Sequence, residues 1–158
     1  MDSTTRTIAL GVLNLAIVAI YAFGSGRWVQ TGDDWYRQLR QPAWQPPDPV
    51  FGIAWSYNFV MLAVVGFLLA GRASSAQMST WLVVFAVSVV AALSWAWLFY
   101  SRHALLASGV ALAIAAVLTI VLTVIAWQVD WRIGLAMVPY ALWVSIATSL
   151  AFGYAALN

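Results

Sequence analysis

Residues 104–128 read ALLASGVALAIAAVLTIVLTVIAWQ and contain no charged side chain. About 20 apolar residues are enough for an α-helix to cross the roughly 30 Å hydrocarbon core of a bilayer. Backbone amides in lipid must be paired within their own segment, which favours a helix over a strand. The stretch therefore predicts a transmembrane helix, and the surrounding sequence repeats the pattern.

Charged and turn-forming residues divide the 158-residue chain into five such apolar segments. The first is interpreted as a retained helix rather than a signal peptide, because no clear cleavage pattern follows it. Three of the four links are short, so we expect sequential helices to be antiparallel neighbours. The predicted fold is an all-α, multi-pass integral membrane protein, a single domain over residues 1–158 with helices at about residues 7–28, 49–70, 78–100, 104–128 and 133–157.

The link between the first two segments, residues 29–48, is too long to be a simple turn. Loops of this length are usually functional or disordered. Trp35, Tyr36, Leu39 and Trp44 argue against disorder, so we predict a structured loop folded over one end of the bundle. The arginines divide almost evenly between the two sides, and the positive-inside rule gives only a slight preference for a cytoplasmic loop.

The composition excludes several classes of protein. Hydrophobic residues make up 64% of the chain and charged residues 8%, against roughly 25% charged in soluble domains. The chain has no Cys, and its basic residues form no cluster suited to nucleic acid. No ionisable residue lies near the middle of a predicted helix, which argues against proton pumps and ion-coupled carriers. No catalytic or metal-ligating constellation is recognisable, and His103, in a turn, is interpreted as solvated rather than as a haem ligand.

Tryptophan is unusually frequent, with ten residues in the chain. Those near segment ends fit the aromatic belts of membrane interfaces. Others share helical faces with further aromatic and small residues, and three antiparallel helices would bring these faces together. One interpretation is ordinary core packing, and the other is an aromatic-walled cavity for a flat apolar ligand. The faces comprise Phe51, Trp55, Phe59 and Leu62; Ser88, Ala92, Trp95 and Phe99; and Pro139, Trp143 and Ala147, with Tyr140 beside the last face.

Three parts of the chain resemble the signature of the TspO/MBR family, the tryptophan-rich sensory or translocator proteins. The first part reads WYRQL at 35–39, QPAWQPP at 41–47 and VFGIAWS at 50–56. The second reads VPYALWVSIAT at 138–148, and the third is Trp95 with Phe99 and Tyr100. The resemblance runs from about residue 35 to the C-terminus.

The resemblance implies a five-helix membrane receptor or sensor, commonly a homodimer, which we expect in a bacterial inner membrane. Proteins of this family bind porphyrins, sterols and benzodiazepine- or isoquinoline-type compounds in a pocket under the first loop. A porphyrin or haem-type tetrapyrrole is therefore the expected ligand, with no required cofactor. With the aromatic faces, the resemblance gives as pocket candidates Trp44, Trp55, Phe59, Ala92, Trp95, Phe99, Tyr140, Trp143 and Ala147, and as propionate contacts Arg37 and Arg40.

The chain departs from the family pattern at Ala92 and Ala151, where asparagines are often found. Two polar groups that would orient a porphyrin are thereby lost. Two other functions remain open: an enzyme that degrades bound porphyrin photochemically, and a non-catalytic subunit of a larger membrane complex. Asn14 and Asn58 lie within predicted helices, where we expect them to form hydrogen bonds between helices.

Overall fold

The computed structural model describes residues 2–158, which form six α-helices. Five are long and apolar enough to cross a membrane, which confirms the predicted all-α bundle. The sixth is a single short helix within the long loop. The helices are α1 (Ser3–Trp28), α2 (Asp34–Gln38), α3 (Asp48–Arg72), α4 (Ser75–Tyr100), α5 (Leu105–Val129) and α6 (Trp131–Leu157).

Helices α1, α4 and α6 begin before the predicted apolar segments, and in each of them a polar side chain caps the first turn. Helix α4 begins three residues before the predicted boundary at Met78, where Ser74 and Gln77 form a capping box. The Gln77 backbone N–H donates to Ser74 Oγ at 3.2 Å, and the Ser74 N–H donates to Gln77 Oε1 at 3.0 Å. Such reciprocal bonds satisfy amides that the first helical turn leaves unpaired. Hydropathy alone therefore placed this boundary too late.

The five long helices form a ring in the order α3, α1, α4, α5, α6, with α6 packing back against α3. The predicted antiparallel neighbours are confirmed for α4 with α5 and for α5 with α6. For α3 and α4 the prediction is wrong: within residues 2–158 they do not pack along each other, although a short turn joins them. The reason is that α1 packs against both and separates them.

A buried junction joins α1, α3 and α4 through one amide side chain. Asn14 Nδ2 donates to the Leu62 carbonyl oxygen at 3.0 Å, and Trp81 Nε1 donates to Asn14 Oδ1 at 2.9 Å. Gly66 makes room for this amide, since a Cβ at that position would lie 1.9 Å from Asn14 Nδ2. The hydrogen bond predicted for Asn14 is thus confirmed. Asn58 is also buried, but its amide nitrogen has no hydrogen-bond partner among the described residues.

The two ends of the bundle are built differently. At one end, here called the turn end, Arg72 Nη1 lies 3.1 Å from Asp130 Oδ2 and links the α3–α4 turn to the α5–α6 turn. At the other, the lid end, residues 29–47 between α1 and α3 cover the bundle. These residues, with α2 among them, are called the lid.

Candidate functional site

A cavity of about 460 Å³ lies beneath the lid. Helices α1, α3, α4 and α6 form its walls, and among the described residues α5 contributes none of the lining. Nine of its 19 lining residues are aromatic, so its surface is suited to stacking against a flat apolar molecule. The aromatic lining residues are Tyr36, Phe51, Trp55, Phe59, Trp95, Phe99, Tyr100, Trp143 and Tyr154, and the others are Ala22, Ser25, Gly26, Val29, Thr31, Gln45, Asp48, Ala147, Leu150 and Ala151.

The α3 wall contains two stacked rings. The centroids of Trp55 and Phe59 are 5.6 Å apart and their planes differ by 27°. The ring of Tyr21 from α1 meets both of them edge-on, at 5.7 Å and 5.3 Å. Edge-to-face contacts of this kind are favourable for aromatic quadrupoles and restrict ring rotation. The α3 wall is therefore held in position by the protein itself.

The remaining walls are supported in the same way. Phe51 meets Trp143 of α6 edge-on, with ring centroids 5.3 Å apart. On α4, Phe99 lies between Trp95 and Tyr154, at 6.3 Å and 5.4 Å. Each wall ring thus rests against another wall ring. A ligand would enter a preformed cavity with little ordering of side chains, which lowers the entropic cost of binding.

The lid is attached to α6 by hydrogen bonds. Trp44 Nε1 donates to Ser149 Oγ at 3.2 Å, and the Tyr154 hydroxyl donates to Gln45 Oε1. The hydroxyl oxygens of Tyr154 and Tyr36 are 3.2 Å apart. These contacts hold the lid against α6, and Tyr36 and Gln45 of the lid line the cavity.

Two further contacts hold the lid close to the end of α6. The Arg40 backbone N–H donates to Asn158 Oδ1 at 2.8 Å, and Asn158 Nδ2 donates back to the Arg40 carbonyl at 3.1 Å. At Gly153 a Cβ would lie 2.8 Å from Pro42 Cγ and 2.9 Å from Trp44 Cζ2. The absence of a side chain at Gly153 therefore allows the lid to lie directly on the helix.

Aromatic stacking attaches the lid to the end of α4. The rings of Trp35 and His103 are nearly parallel, with centroids 3.7 Å apart and planes 10° apart. Trp35 also meets Phe99 edge-on at 5.7 Å. His103 adopts a positive φ of 54°, and the Ala104 N–H donates to the Leu98 carbonyl at the end of α4. The imidazole thus packs on the lid, and it is not among the residues that line the cavity.

Comparison with known proteins agrees with this architecture. Residues 12–157 match the family model described as the TspO/MBR family. The chain belongs to the TspO/MBR family. It is 31% identical over 159 residues to the tryptophan-rich protein TspO of Chlorobaculum tepidum, covering 100% of this chain and 99% of that one. It is 28% identical over 152 residues to protein CrtK of Rhodobacter capsulatus, covering 96% of this chain and 95% of that one. It is 29% identical over 126 residues to a tryptophan-rich sensory protein of Cereibacter sphaeroides, covering 80% of this chain and 78% of that one.

The resemblance drawn from the sequence is therefore confirmed, as is the multi-pass membrane architecture of this TspO/MBR protein. The family consists of membrane proteins of the sensory and receptor type. Six of the nine predicted pocket residues line the cavity of this member: Trp55, Phe59, Trp95, Phe99, Trp143 and Ala147.

Ala92 and Tyr140 are buried below the floor of the cavity. Each lies one helical turn deeper than the lining tryptophan on its own helix, Trp95 or Trp143. Side chains lean toward the N-terminus of their helix, and in α4 and α6 that direction is away from the lid. In α3 it is toward the lid, so Phe59 reaches the cavity although it is one turn deeper than Trp55.

The other predicted residues belong to the lid and do not line the cavity. Trp44 is 57% exposed and binds the outside of α6. Arg37 Nη1 is 4.0 Å from Asp34 Oδ1, and both side chains are largely exposed. The backbone of Arg40 is bonded to Asn158. Neither arginine is placed where it would meet a group inside the cavity.

Sequence reasoning missed several lining residues. Ala151 and Tyr154 continue the face of Trp143 and Ala147 at helical spacing, so a longer search along α6 would have found them. Tyr36 lies within the first stretch that resembles the family signature, so its position in that motif could have indicated it. The contribution of α1 comes from small residues such as Ala22 and Gly26, for which the sequence offers no distinctive pattern.

Proposed function

We propose that this protein is a membrane receptor or sensor that binds a porphyrin, or a related flat lipophilic ligand, in the cavity under the lid. The observation that carries the proposal is the aromatic lining, nine residues of 19, around a volume of about 460 Å³. Cavities that bind small molecules commonly measure roughly 300–1,000 Å³ and are mostly apolar, with a few polar groups that fix orientation.

The arrangement of polar groups supports a particular pose. The deep walls are formed by rings such as Trp55 and Phe59, whereas Gln45, Thr31 and Asp48 lie at the lid end. A flat ligand would place its apolar plane against the rings and its polar edge toward the lid. This pose leaves polar ligand groups near water and buries the macrocycle, which is the distribution that the hydrophobic effect favours.

Titration of the purified protein in detergent micelles with protoporphyrin tests the proposal. Binding is measured in darkness from the porphyrin absorption band, because the variants change tryptophan fluorescence. The double replacement Trp55→Ala and Trp143→Ala removes one ring from each of two adjacent walls, those of α3 and α6. We expect Kd to rise at least about tenfold, since aromatic contacts contribute about 0.5–1.5 kcal/mol each beyond the area they bury.

Trp131→Ala is the matched control, because Trp131 is 55% exposed at the turn end and away from the cavity. Its Kd should equal that of the wild type. Unchanged affinity in the double variant would show that porphyrin binds elsewhere. Repeating the titration under illumination separates receptor from enzyme, because loss of porphyrin only in the illuminated sample would favour the degrading enzyme.

We also propose that the protein forms a homodimer in a bacterial inner membrane, as the family resemblance implies. Light scattering of the protein–detergent complex, corrected for bound detergent, gives the mass of the protein component. A mass of two chains supports the dimer, and a mass of one chain argues against it. Copurification of a different membrane protein at constant stoichiometry would instead favour the interaction subunit.

A further inference from the structure

The charge in the cavity lining is negative, which is the opposite of the sign that a carboxylate-bearing ligand would need. Asp48 is the one charged residue among the described lining residues. It is the first residue of α3, is exposed to solvent, and lies at the lid end of the cavity. Arg37 and Arg40, which the sequence suggested as partners for propionates, are both outside the lining.

The other charged residues at the lid end lie outside the cavity lining. The lid end of the bundle carries four arginines and three aspartates, so its overall field is weakly positive. These exposed charges are screened beyond about 10 Å at 0.1 M salt. Asp48 is therefore the charge that a ligand edge at the mouth contacts directly. The charged residues at this end are Arg27, Arg37, Arg40, Arg102, Asp33, Asp34 and Asp48.

The position of Asp48 strengthens this effect. A helix N-terminus has unpaired N–H groups and a partial positive charge, and it is normally a favourable place for an anion. In α3 the aspartate already occupies the first helical position and supplies that anion. A ligand carboxylate would therefore find the partial positive charge of the helix end already neutralised by Asp48, and it would be repelled by the Asp48 carboxylate.

We infer that Asp48 is a specificity-determining residue that disfavours ligands with an anionic polar edge. The cavity then selects flat lipophiles whose edge is neutral or cationic, such as esterified, amidated or amine-bearing molecules, over those with free carboxylates. This inference rests on the proposed ligand-binding function and narrows the chemical class that the cavity accepts.

The test compares protoporphyrin, which carries two free propionates, with its dimethyl ester, which has the same macrocycle and no charged edge. Kd for both is measured near pH 7.5 and at 0.1 M salt for the wild type, Asp48→Asn and Asp33→Asn. Asp33→Asn makes the same change of charge in the lid, outside the cavity lining. The quantity compared is the ratio of the two Kd values within each protein, because partitioning of each porphyrin into micelles then cancels between proteins.

We expect Asp48→Asn to tighten binding of the free acid by about three- to fivefold and to leave the ester unchanged, the size of one like-charge contact across a solvated mouth. The gain should shrink at 0.5 M salt, where screening is stronger. Asp33→Asn should leave the ratio at the wild-type value. Asp48→Ser serves as a second variant, since serine is also favourable at a helix start, and it should show the same shift.

An unchanged acid-to-ester ratio in both Asp48 variants would overturn the inference while leaving the proposed function intact. A shift of equal size in Asp33→Asn would also overturn it, because the effect would then come from the general field of the lid end. If neither porphyrin binds saturably to any of the proteins, the proposed function is refuted, and the inference with it.

Discussion

Replacing Gly66→Ala should destabilise the bundle strongly, although the change adds a single methyl group. The new Cβ would lie 1.9 Å from Asn14 Nδ2 and 2.1 Å from Asn14 Cγ, and Asn14 would have to leave its site. That movement breaks its bonds to the Leu62 carbonyl and to Trp81 Nε1. Hydrogen bonds between membrane helices contribute about 0.6 kcal/mol on average and at most about 1.7 kcal/mol. Overpacking adds roughly 1–3 kcal/mol, so with two hydrogen bonds lost we expect a total loss of about 2–6 kcal/mol.

Unfolding by sodium dodecyl sulfate in mixed micelles, followed by tryptophan fluorescence, measures this loss. Gly52→Ala is the matched control on the same helix, since a Cβ there would have no neighbour within 4 Å. It should leave stability unchanged or raise it slightly, because alanine has the higher helix propensity. The double variant Gly66→Ala with Asn14→Ala should be no less stable than Asn14→Ala alone within about 0.5 kcal/mol. Additive losses in the double variant, or a Gly66→Ala protein as stable as the wild type, would refute the steric explanation.

Three further predictions concern the two ends of the bundle. Tyr154→Phe removes a hydroxyl that bonds to the lid, so amide hydrogen exchange of residues 29–47 should accelerate about five- to tenfold while the helices keep their protection. His103→Gly removes the ring stacked on Trp35 but suits a φ of 54°, so lid exchange should again accelerate, with a global stability within about 1 kcal/mol of the wild type. Asp130→Ala should lower the free energy of unfolding by about 1–2 kcal/mol, because Asp130 pairs with Arg72 and also caps α6 by accepting from the Arg132 N–H at 2.8 Å. Arg72→Gln removes only the partly exposed ion pair, so it should cost at most about 1 kcal/mol.

The number and approximate extent of the helices could be predicted because the bilayer imposes a length and a composition on every span. The order of the helices around the ring could not. Short links normally make sequential helices neighbours, but α1 packs against both α3 and α4 and keeps them apart. The residues that permit this arrangement are Asn14 and Gly66. On a hydropathy scale Asn14 counts only as an unfavourable polar residue, and Gly66 contributes almost nothing. Their meaning depends on a partner 52 positions away in the sequence.

The candidate site shows the same division. Aromatic residues on one helical face, such as Trp95 with Phe99, could be assigned to a common surface from spacing alone. Whether the next residue along that face lines the cavity depends on the direction of the helix relative to the lid, because side chains lean toward their own N-terminus. Ala92 and Phe59 are both one turn below a lining tryptophan, yet only Phe59 reaches the cavity. The lid places Trp44 on the outside of α6, and this position could be learned only from the tertiary structure.

The ring order also explains why the cavity lies at the lid end. Since α3 and α4 do not pack along each other, the space between them must be filled by side chains or remain open. Toward the turn end it is closed by the amide of Asn14, bonded to both helices, and by the indole of Trp81, which is fully buried. Toward the lid end α1 contributes small residues such as Ala22 and Gly26, which leave the space open for a ligand. Disturbing the junction at Gly66 should therefore loosen the floor of the cavity as well as the bundle, so Gly66→Ala should weaken porphyrin binding even in detergent that keeps the protein folded, whereas Gly52→Ala should not.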